Sequence, residues 1–178
     1  MAIILKLPVQ ASKLGYRRVK KRAKVSENPD QLDLFQEGKA QILEFADPDL
    51  SLFEQALRFD ERGDPRAAEL YQRAIDQKDC LADAYCNLGI IESQRGNVLQ
   101  AFDCFTSCLK HHPRHSEAHY NLANLYFDQN DFRLAQLHFE MAAKIDPSFA
   151  NAYFNLALVQ SLNSDLASAI RTLEKYRR

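Results

Sequence analysis

The sequence predicts an all-α protein built as a solenoid of antiparallel helix pairs. Three observations lead to this prediction. Apolar residues recur at helical spacing through most of the chain, polar turns interrupt them regularly, and three segments match one another at an offset of 34 residues. The chain has 178 residues, of which 46% are hydrophobic, so it is long enough for one packed domain with an additional tail.

The repeat consists of residues of the same kind at equivalent positions of three segments, which begin at Ala82, Ser116 and Ala150. Small residues at two of these positions allow two helices to approach closely, and a proline closes each of the first two units because it fits the first turn of the next helix. The matched sets are Tyr85, His119 and Tyr153; Leu88, Leu122 and Leu156; Gly89, Ala123 and Ala157; Ala101, Ala135 and Ala169; Phe105, Phe139 and Leu173; and Pro113 and Pro147.

This pattern resembles the tetratricopeptide repeat family, which has an aromatic residue, then "L-G" or "L-A", later "A-x3-F", and then a proline. The resemblance implies a right-handed superhelical solenoid over residues 49–178, with units 49–81, 82–115, 116–149 and 150–178. The first unit is one residue shorter between Gly63 and Ala67, so we expect its turn to differ. Residues 37–48 are interpreted as an N-terminal capping helix, and residues 1–36 as a basic, largely disordered arm.

The resemblance also implies a concave groove lined by the first helix of each pair, which would bind an extended peptide. The acidic residues among the groove positions favour a neutral or basic peptide. Some relatives bind a carboxylate terminus through paired lysines, but Cys86, Tyr120 and Phe154 occupy those positions here. The expected groove residues are Asp83, Asn87, Ile90, Glu117, Tyr120, Asn121, Asn124, Asp128, Asn151, Phe154, Asn155 and Leu158.

Three of these groove residues, Asn87, Asn121 and Asn155, recur every 34 residues. An amide both donates and accepts hydrogen bonds, so these side chains could bind the backbone of a peptide regardless of its sequence. The alternative is that they are common family residues with a local structural role. The sequence alone leaves both interpretations open.

The arm and the remainder of the chain have opposite charge. Residues 1–28 contain eight basic residues and one acidic residue, whereas the rest contains 15 basic and 23 acidic residues. The arm is either a solvated tail or a contact for nucleic-acid phosphates. A further hypothesis is that residues 13–24 occupy the acidic groove part of the time, until a partner displaces them. The basic residues concerned are Lys13, Arg17, Arg18, Lys20, Lys21, Arg22 and Lys24.

A short motif, "QLDLF", follows the basic run at residues 31–35. It resembles the bacterial sliding-clamp-binding pentapeptide, in which a glutamine makes polar contacts and a Leu-Phe pair fills an apolar cleft. The residues that would carry this contact are Gln31, Leu32, Leu34 and Phe35. The alternative is that Leu34 and Phe35 pack against the first repeat as core residues.

The sequence contains no glycine-rich phosphate loop and no nucleophile motif, so we expect no enzyme, no cofactor and no metal site. Two side-chain pairs, Cys104 with Cys108 and His115 with His119, have the spacing of metal ligands. We expect neither to bind a metal, because cysteine commonly packs as a small hydrophobic residue and His119 occupies an aromatic packing position. The expected function is a cytoplasmic protein–protein interaction scaffold, tethered to the clamp if the motif is used. The alternative is a nucleic-acid-associated regulator. Either the natural chain continues beyond Arg178, or one face of the last helix packs against a second copy in a homo-oligomer.

Overall fold

The computed structural model describes Arg18 and residues 50–176. Its described part contains eight α-helices: α1 (Leu52–Glu61), α2 (Arg66–Asp76), α3 (Leu81–Gln94), α4 (Val98–His111), α5 (Ser116–Asp128), α6 (Phe132–Ile145), α7 (Ala150–Leu162) and α8 (Leu166–Tyr176). The all-α prediction is confirmed. The 37–48 helix and the motif at residues 31–35 lie outside the described residues.

The helices pack in chain order as four pairs, α1 with α2, α3 with α4, α5 with α6 and α7 with α8, and each pair contacts the next. Helix α3 also contacts α5, so the first helices of the two central pairs are neighbours. This arrangement gives a solenoid whose core is shared between successive pairs. None of the described helices is both long enough and apolar enough to cross a membrane.

The turn inside each pair requires one residue with positive φ. Gly63 and Gly96 adopt it in the first two pairs, with φ of 69° and 80°, and Asn130 and Ser164 adopt it in the last two, with φ of 60° and 64°. The first turn differs as expected from its shorter length. Pro65, in helical conformation with ψ of −20°, directly precedes α2, whereas Asn97 and Asp131 precede α4 and α6 with ψ of 65° and 75°.

The repeated alanines form the contacts between helices. Ala101 and Ala135 are fully buried and Ala169 is 6% exposed, next to the fully buried rings of Phe105 and Phe139. These positions are buried between helices, as the sequence pattern predicted.

Candidate functional site

The twelve predicted groove residues lie on α3, α5 and α7, the first helices of their pairs. They differ in exposure. Asp128, Asn151 and Leu158 are exposed, and three more are partly buried, namely Asp83, Glu117 and Phe154. The other six are buried: Asn87, Ile90, Tyr120, Asn121, Asn124 and Asn155. The accessible part of this face therefore consists mainly of acidic side chains and the end of α7.

The recurring asparagines are bonded to the preceding helix pair instead of facing solvent. The Nδ2 group of Asn87 donates to the Tyr71 hydroxyl at 3.2 Å, and that of Asn155 donates to the Tyr120 hydroxyl at 3.1 Å. The Nδ2 group of Asn121 lies 3.5 Å from the Cys86 sulfur. All three amides are buried, and these contacts with the preceding pair favour the local structural role of the two that the sequence left open.

An acidic residue that sequence reasoning missed, Asp60, contacts the arm. Its Oδ1 atom lies 2.8 Å from Nη2 of Arg18, and the carboxylate is only 4% exposed. The Tyr71 hydroxyl donates to Oδ2 of Asp60 at 3.3 Å and accepts from Asn87. Asp60, Tyr71 and Asn87, called the Asp60 cluster below, thus connect α1, α2 and α3 beneath the guanidinium group of Arg18.

Burial sets the ionisation of the Asp60 cluster. Desolvation raises the pKa of Asp60, while the positive charge of Arg18 and the Tyr71 hydroxyl partly oppose this shift. Burial and the neighbouring Asp60 carboxylate raise the pKa of Tyr71 far above its usual value, so its hydroxyl stays protonated and can donate. The cluster therefore presents a buried acceptor that favours a cation.

The two partly buried acids expected in the groove already have partners. Asp83 Oδ1 lies 2.9 Å from Nε2 of His115, and Glu117 accepts a hydrogen bond from the Ser116 hydroxyl at 2.8 Å. The contact with the basic arm is made instead by Asp60, whose carboxylate is buried at the end of α1.

A buried cluster that the sequence did not predict lies between α3, α4 and the start of α5. One ligand atom each from Cys86, Cys108 and His115 lies within 4.8 Å of the other two. All three residues are buried. His115 Nδ1 accepts the backbone N–H of Ala118 at 3.1 Å, so Nε2 carries the proton that Asp83 accepts. We call these three residues the thiol–imidazole cluster.

The helix register could have revealed the thiol–imidazole cluster. Cys86 and Cys108 are equivalent to Tyr120 and Ala142 of the next unit, and that second pair shares one core cluster. The two pairs weighed from the sequence were instead Cys104 with Cys108 and His115 with His119, each four residues apart. In the structure Cys104 lies in another core region, packed near α1 and α2, and His119 contacts His138.

His119 packs as the sequence predicted for its aromatic position. It is 3% exposed, and its Nε2–H donates to the Pro113 carbonyl oxygen at 3.1 Å. Its Nδ1 atom therefore accepts, and Nδ1 of His138 donates to it at 3.0 Å. Burial lowers the pKa of both imidazoles, that of His138 to about 4.

Comparisons with known proteins agree with the repeat register. Family models described as tetratricopeptide repeat match residues 86–132, 116–149 and 138–171. Tetratricopeptide repeat protein 8 of Mus musculus is 31% identical over 94 residues, which is 53% of this chain and 18% of that protein. This chain therefore spans less than a fifth of that relative.

Solved structures share the fold. The crystal structure of MamA has a TM-score of 0.62 at 22% identity, with 74% of this chain and 78% of that chain covered. MamA 41-end from Desulfovibrio magneticus RS-1 has a TM-score of 0.61 at 16% identity, with 71% and 72% covered. A tetratricopeptide repeat protein from Parabacteroides merdae has a TM-score of 0.62 at 22% identity, with 70% and 50% covered. The solved structures share the fold alone, whereas the three family-model matches, together with the helix pairs and their matched alanines, show that the chain is a tetratricopeptide repeat protein.

Proposed function

We propose that this chain is a non-catalytic adaptor that binds an extended, basic segment of a partner protein along the face formed by its first helices. A protein-interaction scaffold is the function that the repeats themselves support. The finer proposal is carried by one observation, the 2.8 Å ion pair between Arg18 of the basic arm and Asp60 of α1. The Tyr71 hydroxyl links Asp60 to Asn87, which is one of the groove positions expected from the sequence.

The burial of Asp60 explains why this site selects a cation. An ionised carboxylate that is 4% exposed is costly unless a positive charge and hydrogen bonds compensate for the lost water. Tyr71 supplies one hydrogen bond, and Arg18 supplies the charge. A planar guanidinium suits this role better than an ammonium group, because it offers several fixed donors and is more weakly hydrated.

Arg18 fills the site incompletely. Its Nε atom is buried and has no hydrogen-bond partner among the described residues, while the side chain as a whole is 34% exposed. A buried donor without a partner costs free energy. An arginine of another protein that also satisfied its Nε group would therefore bind better than Arg18 and could displace it.

The arm acts as a tethered competitor in this proposal. Because it belongs to the same chain, its effective concentration at the Asp60 cluster exceeds that of a free peptide with the same sequence. The attraction depends on salt, since the Debye length is about 8 Å at physiological ionic strength. A partner would have to exchange for Arg18 instead of entering an empty site.

The test uses a fluorescent peptide with the sequence of residues 13–24 and measures its anisotropy with the full-length chain. We expect Arg18→Ala to bind this peptide more tightly than the parent chain at low salt, with a gain that shrinks as salt is added. Arg17→Ala removes the same charge and serves as the matched control. Adding Asp60→Asn to Arg18→Ala should abolish the gain. Equal binding by all four proteins at every salt concentration would rule out the arm as a competitor.

A tether to a sliding clamp is a further part of the proposal that rests on "QLDLF" alone. Gln31, Leu32, Leu34 and Phe35 lie outside the described residues, so this part stays a prediction. A pull-down with purified bacterial clamp should retain the parent chain and lose the Leu34→Ala/Phe35→Ala chain. Equal retention of both would favour the role of these residues as core anchors.

The remaining finer predictions need separate measurements. Nucleic-acid binding by the arm predicts salt-dependent retention on duplex DNA. The Arg18–Asp60 contact favours the adaptor over this alternative, because it occupies one of the basic side chains.

A homo-oligomer through the last helix predicts a mass above 20.4 kDa in solution. A cytoplasmic location also stays a prediction.

A further inference from the structure

We propose that Cys86, Cys108 and His115 form a binding site for a thiophilic d¹⁰ metal ion, Zn²⁺ or Cu⁺. This site is independent of the proposed adaptor function and lies in the core between α3, α4 and α5. The pattern of the sequence does not predict it, because the three ligands come from separate elements.

Geometry is the first argument. The three candidate ligand atoms lie within 4.8 Å of one another. In a tetrahedral zinc site, bond lengths of about 2.3 Å to sulfur and 2.0–2.1 Å to nitrogen separate neighbouring ligands by roughly 3.5–3.8 Å. Side-chain shifts of about 1 Å or less would therefore bring these atoms to the distances that a metal requires.

The chemistry of the donors is the second argument. Thiolate and imidazole ligands select Zn²⁺ and Cu⁺ over harder ions such as Mg²⁺ and Ca²⁺. Two thiolates neutralise Zn²⁺, which suits a cluster whose three side chains are buried. Cu⁺ is satisfied by three ligands, whereas Zn²⁺ would add a water molecule as its fourth. Binding of either ion releases the thiol protons to solvent, with no change in oxidation state.

Neighbouring polar groups already hold two of the ligands. Asp83 accepts a hydrogen bond from Nε2 of His115 at 2.9 Å, as carboxylates commonly do beside metal-binding imidazoles. The Asn121 amide lies 3.5 Å from the Cys86 sulfur and can donate to a thiolate there. Both contacts would persist if His115 bound the metal through Nδ1, the nitrogen that does not face Asp83. That ion would replace the 3.1 Å hydrogen bond from Ala118, and the lost helix cap opposes binding.

A bound ion would join three elements directly. Cys86 lies on α3, Cys108 on α4, and His115 immediately before α5. The second and third helix pairs would then be linked by metal–ligand bonds, and metal binding would stabilise the folded state because the unfolded chain lacks the site.

The experiment uses the full-length chain, reduced and stripped of metal, and titrates it with Co²⁺ as a spectroscopic substitute for Zn²⁺. We expect one ion per chain and an ultraviolet charge-transfer band from thiolate to cobalt. Zn²⁺ should then displace Co²⁺ and remove the band. A parallel anaerobic titration with Cu⁺ against a chromophoric chelator shows which of the two ions binds more tightly.

Two matched variants test the assignment. Cys108→Ser should weaken Zn²⁺ binding at least 100-fold, whereas Cys104→Ser, one turn away on α4 and outside the cluster, should leave it unchanged. Asp83→Asn should weaken it by about 10- to 100-fold through the orientation of His115. The parent chain alone can overturn the proposal, whatever the stability of the variants. Absence of the thiolate–cobalt band together with absence of Cu⁺ uptake by the reduced chain would do so.

Discussion

The Nδ2 group of Asn155 donates a hydrogen bond to the Tyr120 hydroxyl, 3.1 Å away, and the same group lies 3.3 Å from Oδ1 of Asn124. One buried amide on α7 therefore binds two side chains of α5. Asn155→Ala should destabilise the protein by about 1–3 kcal/mol, because it leaves buried polar groups less well bonded. The midpoint of urea unfolding measures this loss. Asn151→Ala, on the exposed side of the same helix, is the control.

Gly89 lies so close to Phe105 that only a hydrogen atom fits on its α-carbon. An added Cβ would lie 2.8 Å from Cε1 and 2.9 Å from Cδ1 of that ring. Gly89→Ala should therefore cost about 1–3 kcal/mol through overpacking, although alanine favours helices.

The Gly89→Ala prediction is checked by a double-mutant cycle with Phe105→Leu. Removal of the ring should reduce the cost of the extra methyl group, so the two changes should couple favourably. Strict additivity of the two free-energy changes in thermal or urea unfolding would contradict the proposed contact.

Ala135 is fully buried between helices, and its neighbour Leu134 is 37% exposed. Ala135→Glu places a carboxylate in the core without a partner and should unfold that part of the array, at a cost of roughly 4 kcal/mol or more. Leu134→Glu makes the same chemical change at the surface and should be tolerated. Circular dichroism melting curves compare the two. If both variants melted like the parent, the repeat register would be wrong.

The His119–His138 pair predicts a loss of stability in mild acid. Burial, followed by the neighbouring His119, lowers the pKa of His138 from 6.5 to about 4. The folded state therefore favours the neutral imidazole. Its contribution is fully present above pH 6.5 and is lost as the pH falls through 4.

His138→Gln keeps a polar side chain but removes the titrating group. Unfolding free energies measured between pH 7 and pH 4 should fall by on the order of 1–2 kcal/mol more for the parent than for this variant, after allowance for partial solvent screening. Parallel pH profiles for the two proteins would exclude His138 as the source of the acid sensitivity.

The periodic features of the chain were accessible from its sequence, whereas contacts between distant segments were not. Ala101, Ala135, Phe105 and Phe139 were assigned correctly to helix contacts, because close packing imposes the same residue sizes on every unit. Asp60 was missed because its partner, Arg18, lies far away in the chain. No local pattern encodes such a contact.

The asparagines show a different limit of sequence reasoning. Their spacing placed Asn87, Asn121 and Asn155 correctly on the first helices of their pairs, but it could not say whether an amide would meet a ligand or the preceding unit. In the structure each of the three amides contacts a side chain of the preceding unit. The thiol–imidazole cluster was missed for a related reason, since its members come together only when α3 and α4 fold against each other.

The back-directed hydrogen bonds of Asn87 and Asn155 make each unit depend on the one before it. At the other end, α8 carries Leu166 and Ile170 at 63% and 51% exposure, and its buried Thr172 donates to Gln160 of α7. Such an array behaves as a one-dimensional chain of nearest-neighbour couplings. The last pair has one neighbour among the described helices, so the free energy of local opening should rise from α8 towards the centre. Amide hydrogen exchange would then be fastest at α8, and melting would spread inwards as a moving boundary.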